Sequence, residues 1–246
     1  MPLFICWGSF LNVLAFRLVR SQNIVWPRSA CPYCKHTISW YDNIPLISWL
    51  LLCGQCRTCK KPISWLYPAI ELLTTILLTA LYLYVPLNYF FAYFIFFSAL
   101  IVTIRSDIET MLISRFVTIF LIPFGLLFSA FGLLPITILD SICGALLGYF
   151  FLLIMSKIFF WIKGKEGMGQ GDLELLAFIG SFIGIAGCWM SLLLGSIMGS
   201  IVGLTYIVIF KAGRSAKIPF GPFLASGALI YVFLQEHLTA LALYAS

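Results

Sequence analysis

Between Ser64 and Ile104 the chain carries one charged side chain, Glu71, and further apolar runs of similar length follow. Inside hydrocarbon no water pairs with exposed backbone groups, so such runs span a bilayer as helices, each needing about 20 residues to cross a core about 30 Å thick. The pattern predicts eight helices, at 2–16, 64–85, 86–104, 113–134, 136–162, 172–189, 190–210 and 218–242. Several joins are apolar and marked only by Pro86, Pro135 or the patch from Gly184 to Gly187. Composition agrees: 62% hydrophobic, 17% aromatic and 10% charged residues lie far from the roughly 45–50% apolar and 25% charged of a soluble domain. The expected fold is an all-α polytopic membrane protein with a small cytoplasmic metal-binding loop domain.

The basic residues orient it. Arg17, Arg20, Arg28, Lys35, Arg57, Lys60 and Lys61 fall between the first two helices; Arg105 and Arg115 flank the third connection. Lys157, Lys163 and Lys165 flank the fifth, and Lys211, Arg214 and Lys217 the seventh. All fifteen lie on one side of an eight-helix topology, the cytoplasmic side, which puts the amino terminus in the periplasm. The net charge of +6 is thus a topological signal, and no nucleic-acid partner is expected. No basic segment precedes the first span, while Arg17 and Arg20 follow it, so a cleaved secretory signal is not expected.

One stretch reads as soluble. Residues 17–63 hold Cys31 and Cys34 in CPYC, and Cys53, Cys56 and Cys59 in CGQCRTC. Two Cys-x-x-Cys knuckles about twenty residues apart have the spacing of a tetrahedral zinc site. In a reducing cytoplasm, metal thiolate is favoured over disulfide. The expected ligands are Cys31, Cys34, Cys56 and Cys59, with Cys53 able to replace one of them, against a reading as free thiols or a redox pair. So short a loop builds little core, which is where a closed structural metal contributes most to folding. Cys6, Cys143 and Cys188 lie in apolar runs and read as packing residues. The expected domains are 1–16, a first transmembrane helix; 17–63, the tetracysteine loop; and 64–246, a transmembrane core.

Carboxylates beside hydrocarbon are costly and point to function. Of the nine acids, Asp42, Glu166 and Glu236 read as solvated, and Asp140 as structural, favouring a helix amino terminus. Glu71, inside the second helix, requires a buried partner or a proton, and is either functional or part of a packing network. The remaining acids form two pairs, Asp107 with Glu109 in RSDIETMLI, and Asp172 with Glu174 in GQGDLELL. Both are placed at the cytoplasmic boundary, the first at the junction of the third and fourth helices, the second entering the sixth. Two facing carboxylates in a partly desolvated cleft share a proton, so one can activate water while the other donates to a carbonyl or leaving amine. That is the chemistry of aspartyl peptide hydrolysis. Gly167, Gly169 and Gly171 let backbone approach a substrate closely and can place Asp172 at a helix start with free amides.

The blocks GSFLNVLAFRL (8–18), CPYCKHTISWYDNIPLISWLLLCGQCRTC (31–59), YPAIELL (67–73), GMGQGDLELLAFIG (167–180) and PFGPFLASG (219–227), in this order, resemble the type IV prepilin peptidases. These are GxGD-type intramembrane aspartyl proteases. The resemblance covers nearly the whole chain. It implies a bifunctional enzyme of the bacterial inner membrane, which removes the basic leader of prepilin or pseudopilin precursors after a glycine. The new amino terminus is then methylated with S-adenosylmethionine. It also implies Asp107 and Asp172 as the catalytic pair and Cys31, Cys34, Cys56 and Cys59 as the family cysteines; no residue for the cofactor is identified. Two departures stand out. The family commonly has Lys two residues after the second aspartate, where this chain has Glu174, and an Ile-Pro-Asp-like segment where it has Ile113-Ser114-Arg115. The first replaces a positive charge near the dyad with a negative one, adding like-charge repulsion.

A precursor with an apolar helix and a basic leader would leave its scissile bond at the boundary holding Asp107 and Asp172. Two other classes fit some of these features. A proton- or ion-coupled transporter would also bury Glu71, Asp107 and Asp172, but would not require the cysteine loop. A non-enzymatic assembly factor would use that loop as a docking platform. For the acid pairs taken alone, a structural ion-pair network with Arg105, Arg115 and Lys165 is the competing explanation.

Overall fold

The computed structural model describes residues 2–26, 28–165, 167–210 and 218–245, excluding the side chains of Phe210 and of 236–245. Glu166, Lys211, Arg214, Lys217 and the side chain of Glu236 thus lie outside the described residues. Among the described residues the fold is all-helical, without strands; two isolated antiparallel bridges, Ala30 with Thr37 and Gln55 with Pro62, are its only extended pairings. Contacts divide the chain into a unit of residues 1–83 and a unit of residues 84–246.

The first unit contains α1 (Pro2–Leu18), a 3-10 turn (Trp40–Asn43), α2 (Ile47–Leu51) and α3 (Leu66–Tyr84). Helices α1 and α3 touch where Gly8 meets the backbone of Glu71, and Asn12 Nδ2 donates to the Tyr67 carbonyl at 3.1 Å. Glu71 is buried and accepts from the Leu46 amide at 2.8 Å, which ties the loop to α3. Of its two readings, the packing network is the one with a partner in view. Asp42, expected to be solvated, is instead held by Arg57, whose Nε donates to Asp42 Oδ2 at 2.8 Å. The Arg57 guanidinium hydrogen-bonds the Asp42 carboxylate and keeps it below its ordinary range. Its stabilisation is therefore present above the ordinary carboxylate value and fades as pH falls through the lowered one. Because the Arg57 side chain is 57% exposed, Arg57→Ala should lower stability only slightly at neutral pH, an effect that shrinks in acid. Thermal melts at pH 7 and at progressively lower pH check this.

The second unit comprises α4 (Leu87–Thr110), α5 (Arg115–Thr118), a 3-10 turn (Ile119–Leu121), α6 (Ile122–Ala130), α7 (Ile138–Lys163), α8 (Gln170–Phe210) and α9 (Gly221–Ala245). Among the described residues four helices are long and apolar enough to cross a membrane, at Leu66–Tyr84, Leu87–Thr110, Ile138–Lys163 and Gln170–Ile209. Helix α4 runs beyond its expected end at 104, so Asp107 and Glu109 lie in its last turns and not in a junction. The reason is local: Arg105 and Glu109 form an i,i+4 ion pair, a spacing that favours one more helical turn.

Helix α8 is not straight. In one rod, Leu176 and Cys188 would be about 18 Å apart along the axis, yet both touch Gly148 of α7. A methyl on Gly148 would lie 2.7 Å from the Leu176 carbonyl oxygen and 3.1 Å from Cys188 Sγ. The chain therefore doubles back, at Gly184, where φ is 70° and ψ −170°. This corrects the expected join between 189 and 190: the glycine patch marks the turn, and the apolar run hides it. Asp140 holds the reversal by accepting from the Ile185 amide at 3.1 Å, while its own amide donates to Thr137 Oγ1 at the start of α7. Asp140 is structural, but it caps a neighbouring helix arm.

Phenylalanines fill the centre of this unit: Phe96 of α4 stacks on Phe182 of α8 at 4.9 Å, and Phe97 meets Phe233 of α9 edge-on at 5.6 Å. Such offset and edge contacts add to the burial of large rings. Cys188 is buried as expected; Cys6 and Cys143 are exposed on their helices, contrary to a packing role.

Candidate active site

Helix α4 ends at Met111, which adopts φ 54° and donates its amide to the Asp107 carbonyl. The positive φ turns the chain sharply, so Asp107 sits in the final turn with the following segment folded under it. Its side chain is buried, and Oδ2 accepts from the Gly221 amide, the first residue of α9, at 3.1 Å. Asp172 lies in the first turn of α8, partly buried, with its amide donating to the Gly169 carbonyl at 3.2 Å and its Oδ2 in van der Waals reach of Gly169. Gly171, the residue before Asp172, and Gly221, whose amide holds Asp107, both lie against Ile113, so the two aspartates adjoin one side chain. The starts of α8 and α9 both present the positive end of a helix dipole to that site.

Ile113 fills the space between those helix starts. A methyl on Gly171 would lie 3.0 Å from Ile113 Cβ, and one on Gly221 would lie 3.0 Å from Ile113 Cδ1 and 2.6 Å from Asp107 Oδ2. Only residues without a side chain let Asp107, Ile113 and the two backbones approach so closely. The roles of Gly221 and Ile113 were not deduced from the sequence; the block PFGPFLASG was the available signal, because it adds a glycine to the start of a helix.

The other acid of each pair goes elsewhere. Glu109 is bound by Arg105. Glu174, 3% exposed, accepts from Arg115 Nε at 3.0 Å, and Thr118 Oγ1 lies 3.4 Å from its second oxygen. The repulsion expected from Glu174 is thus offset by Arg115, and the two positions that depart from the family pattern are partners. The ion-pair network therefore exists, but it takes the two glutamates, while Asp107 accepts from the Gly221 amide.

In the loop, Cys31, Cys34, Cys56 and Cys59 converge, with all four Sγ atoms within 4.8 Å of one another. Cys31 and Cys59 are 3.8 Å apart, which is the edge, about 3.8 Å, of a tetrahedron with metal–sulfur bonds of about 2.3 Å. Cys53 is exposed and lies outside the group. The cluster is built by a repeat that sequence reading missed. The Cys31 amide donates to the His36 carbonyl and that of Cys56 to Lys61; Lys35 and Lys60 both take positive φ. The shared pattern Cys-x-x-Cys-Lys-x-x-Ile-Ser was the legible signal. Burial opposes ionisation of Cys31, but the Cys34 and Tyr33 amides and neighbouring thiols draw it down to about 6. The His36 amide favours the Cys34 thiolate, whereas burial and the Cys31 and Cys59 sulfurs push it up to about 11. The sulfurs thus compete for negative charge, which a bound cation would relieve.

Among protein families, "Bacterial Peptidase A24 N-terminal domain" matches residues 3–85 and "Type IV leader peptidase family" matches residues 94–204. The chain is 37% identical to a prepilin leader peptidase/N-methyltransferase of Aeromonas hydrophila, covering 94% of this chain and 88% of that protein. Proteins of the same name from Stutzerimonas stutzeri and Pseudomonas aeruginosa are each 33% identical, covering 95% and 94% of this chain and 89% and 88% of their own lengths. No solved structure matches.

Proposed function

Because the chain belongs to the type IV leader peptidase family, we propose that it is a membrane-embedded aspartyl endopeptidase that removes the leader of prepilin or pseudopilin precursors and N-methylates the product. One observation carries the aspartyl mechanism: within each acidic pair the glutamate is held by an arginine, while Asp107, through the Gly221 amide, and Asp172, through the neighbouring Gly171, both adjoin Ile113. One aspartate takes a proton from water, whose oxygen attacks the scissile carbonyl. The other, protonated, hydrogen-bonds that carbonyl and then gives its proton to the leaving amine. Gly171 and Gly221 bring backbone close against Ile113 and Asp107, and the substrate must reach the aspartates unwound, because a helical amide is already hydrogen-bonded.

The chain crosses the bacterial inner membrane eight times in this reading, through α1, α3, α4, α5 with α6, α7, the two arms of α8, and α9. The amino terminus is periplasmic and the aspartates are at the cytoplasmic boundary, where a basic leader would wait. Residues 17–63 form the soluble loop domain, flanked by the first helix and the peptidase core of 64–246.

The loop binds one structural zinc through Cys31, Cys34, Cys56 and Cys59, where the metal would clamp the two knuckles together. Purified protein should contain about one zinc per chain, and Cys31→Ser or Cys56→Ser should lower this to near zero. Elemental analysis finding wild-type zinc in either variant overturns the ligand set. S-adenosylmethionine supplies the methyl group for transfer. The glycine-rich stretch 167–171 packs against Ile113 and Asp172 instead of forming a nucleotide cradle, so no residue of this chain is assigned to methyl transfer. Incubating membranes that contain the protein with a prepilin-like precursor, with and without methyl donor, tests both activities. The expected masses are those of the shortened product and the product plus one methyl group; an unchanged precursor overturns the reading.

A further inference from the structure

We propose that Arg115 and Glu174 are positioning residues for the aspartate pair, holding the spacing between Asp107 and Asp172 through Ile113; this rests on the peptidase reading above. The pair is asymmetric. The Glu174 side chain is 4% exposed, the Arg115 side chain 66% exposed, and they meet at 2.9 Å. A carboxylate that deep needs its cation, so the contact fixes where the start of α5 lies against α8.

That placement matters because of what adjoins each end. Glu174 follows Asp172 by two residues on α8, and Arg115 follows Ile113 by two. Ile113 in turn lies against Gly171 and Gly221, and the Gly221 amide holds Asp107 Oδ2. The path runs from Glu174 through Arg115 and Ile113 to Gly221 and Asp107. Releasing the ion pair frees Ile113 to shift, and both aspartates lose the wedge that spaces them. Thr118 alone, 3.4 Å from Glu174, provides no opposite charge.

The test uses the full-length protein in liposomes, with Arg115→Asp and Glu174→Lys made singly and together, and Glu174→Gln as the variant that keeps shape and loses charge. Each single change should lower kcat for leader cleavage about 10- to 100-fold, since a misplacement near 1 Å is that damaging, with KM within about threefold. The double variant restores an ion pair of reversed sign, and kcat should return to within about fivefold of wild type. A purely structural role would lower the amount of folded protein without this split between kcat and KM. Wild-type kcat in Glu174→Gln and Arg115→Asp, or a double variant no better than the weaker single, overturns the pair while leaving the peptidase reading intact. No cleavage by the wild-type protein overturns both.

Discussion

Asp107→Asn and Asp172→Asn should each reduce leader cleavage by at least about 1,000-fold while the protein still inserts and extracts as wild type. Asparagine keeps the size of the side chain and an oxygen that can accept the Gly221 amide bond now made by Asp107 at 3.1 Å. It cannot take a proton from water or deliver one to the departing amine, and each of these transfers is worth on the order of 100- to 10,000-fold. Glu109→Gln serves as the contrast. It removes an acid two residues from Asp107, but one that Arg105 already binds; cleavage should fall far less. Single-turnover cleavage of a prepilin-like precursor, read by mass, distinguishes these cases. A fully active Asp172→Asn variant would remove that residue from the chemistry.

The second large effect is expected far from the aspartates. Gly184→Ala should destabilise the protein by about 3 kcal/mol or more. The backbone at φ 70° and ψ −170° lies in a region essentially reserved for glycine, where another residue costs on the order of 1–3 kcal/mol. The added methyl would also collide with the Asp140 carboxylate. Asp140→Ala leaves the turn but removes the acceptor for the Ile185 amide, and should cost about 1 kcal/mol, as other helix caps do. Unfolding midpoints in mixed micelles give both values. If Gly184→Ala melts like wild type, α8 does not double back at that residue. Lost folding would also reduce cleavage, but through the amount of active protein, leaving turnover per folded molecule unchanged.

The all-helical, apolar character of the chain and the two acidic pairs were legible because hydrophobic periodicity and the cost of charge in lipid are properties of a local stretch. The cysteine group was legible for a related reason: a Cys-x-x-Cys knuckle already places two sulfurs on one turn, and Cys53 dropped out only when Cys31, Cys34, Cys56 and Cys59 were seen to converge. Asp42 was misread as solvated because its partner, Arg57, lies in the other half of the loop. The extension of α4 past 104 was missed because charged residues look like a helix end, whereas Arg105 and Glu109 pair along the helix.

The sequence by itself determined that this chain is a helical membrane protein with a cysteine-rich loop and two acidic pairs. Only the tertiary structure decided which acids are held by arginine, that Gly221 lies against both Asp107 and Ile113, and that the chain reverses at Gly184. The division follows from range. Burial and periodicity act on neighbouring residues, but the electrostatic fate of a carboxylate depends on which distant cation or amide the fold brings within about 3 Å of it.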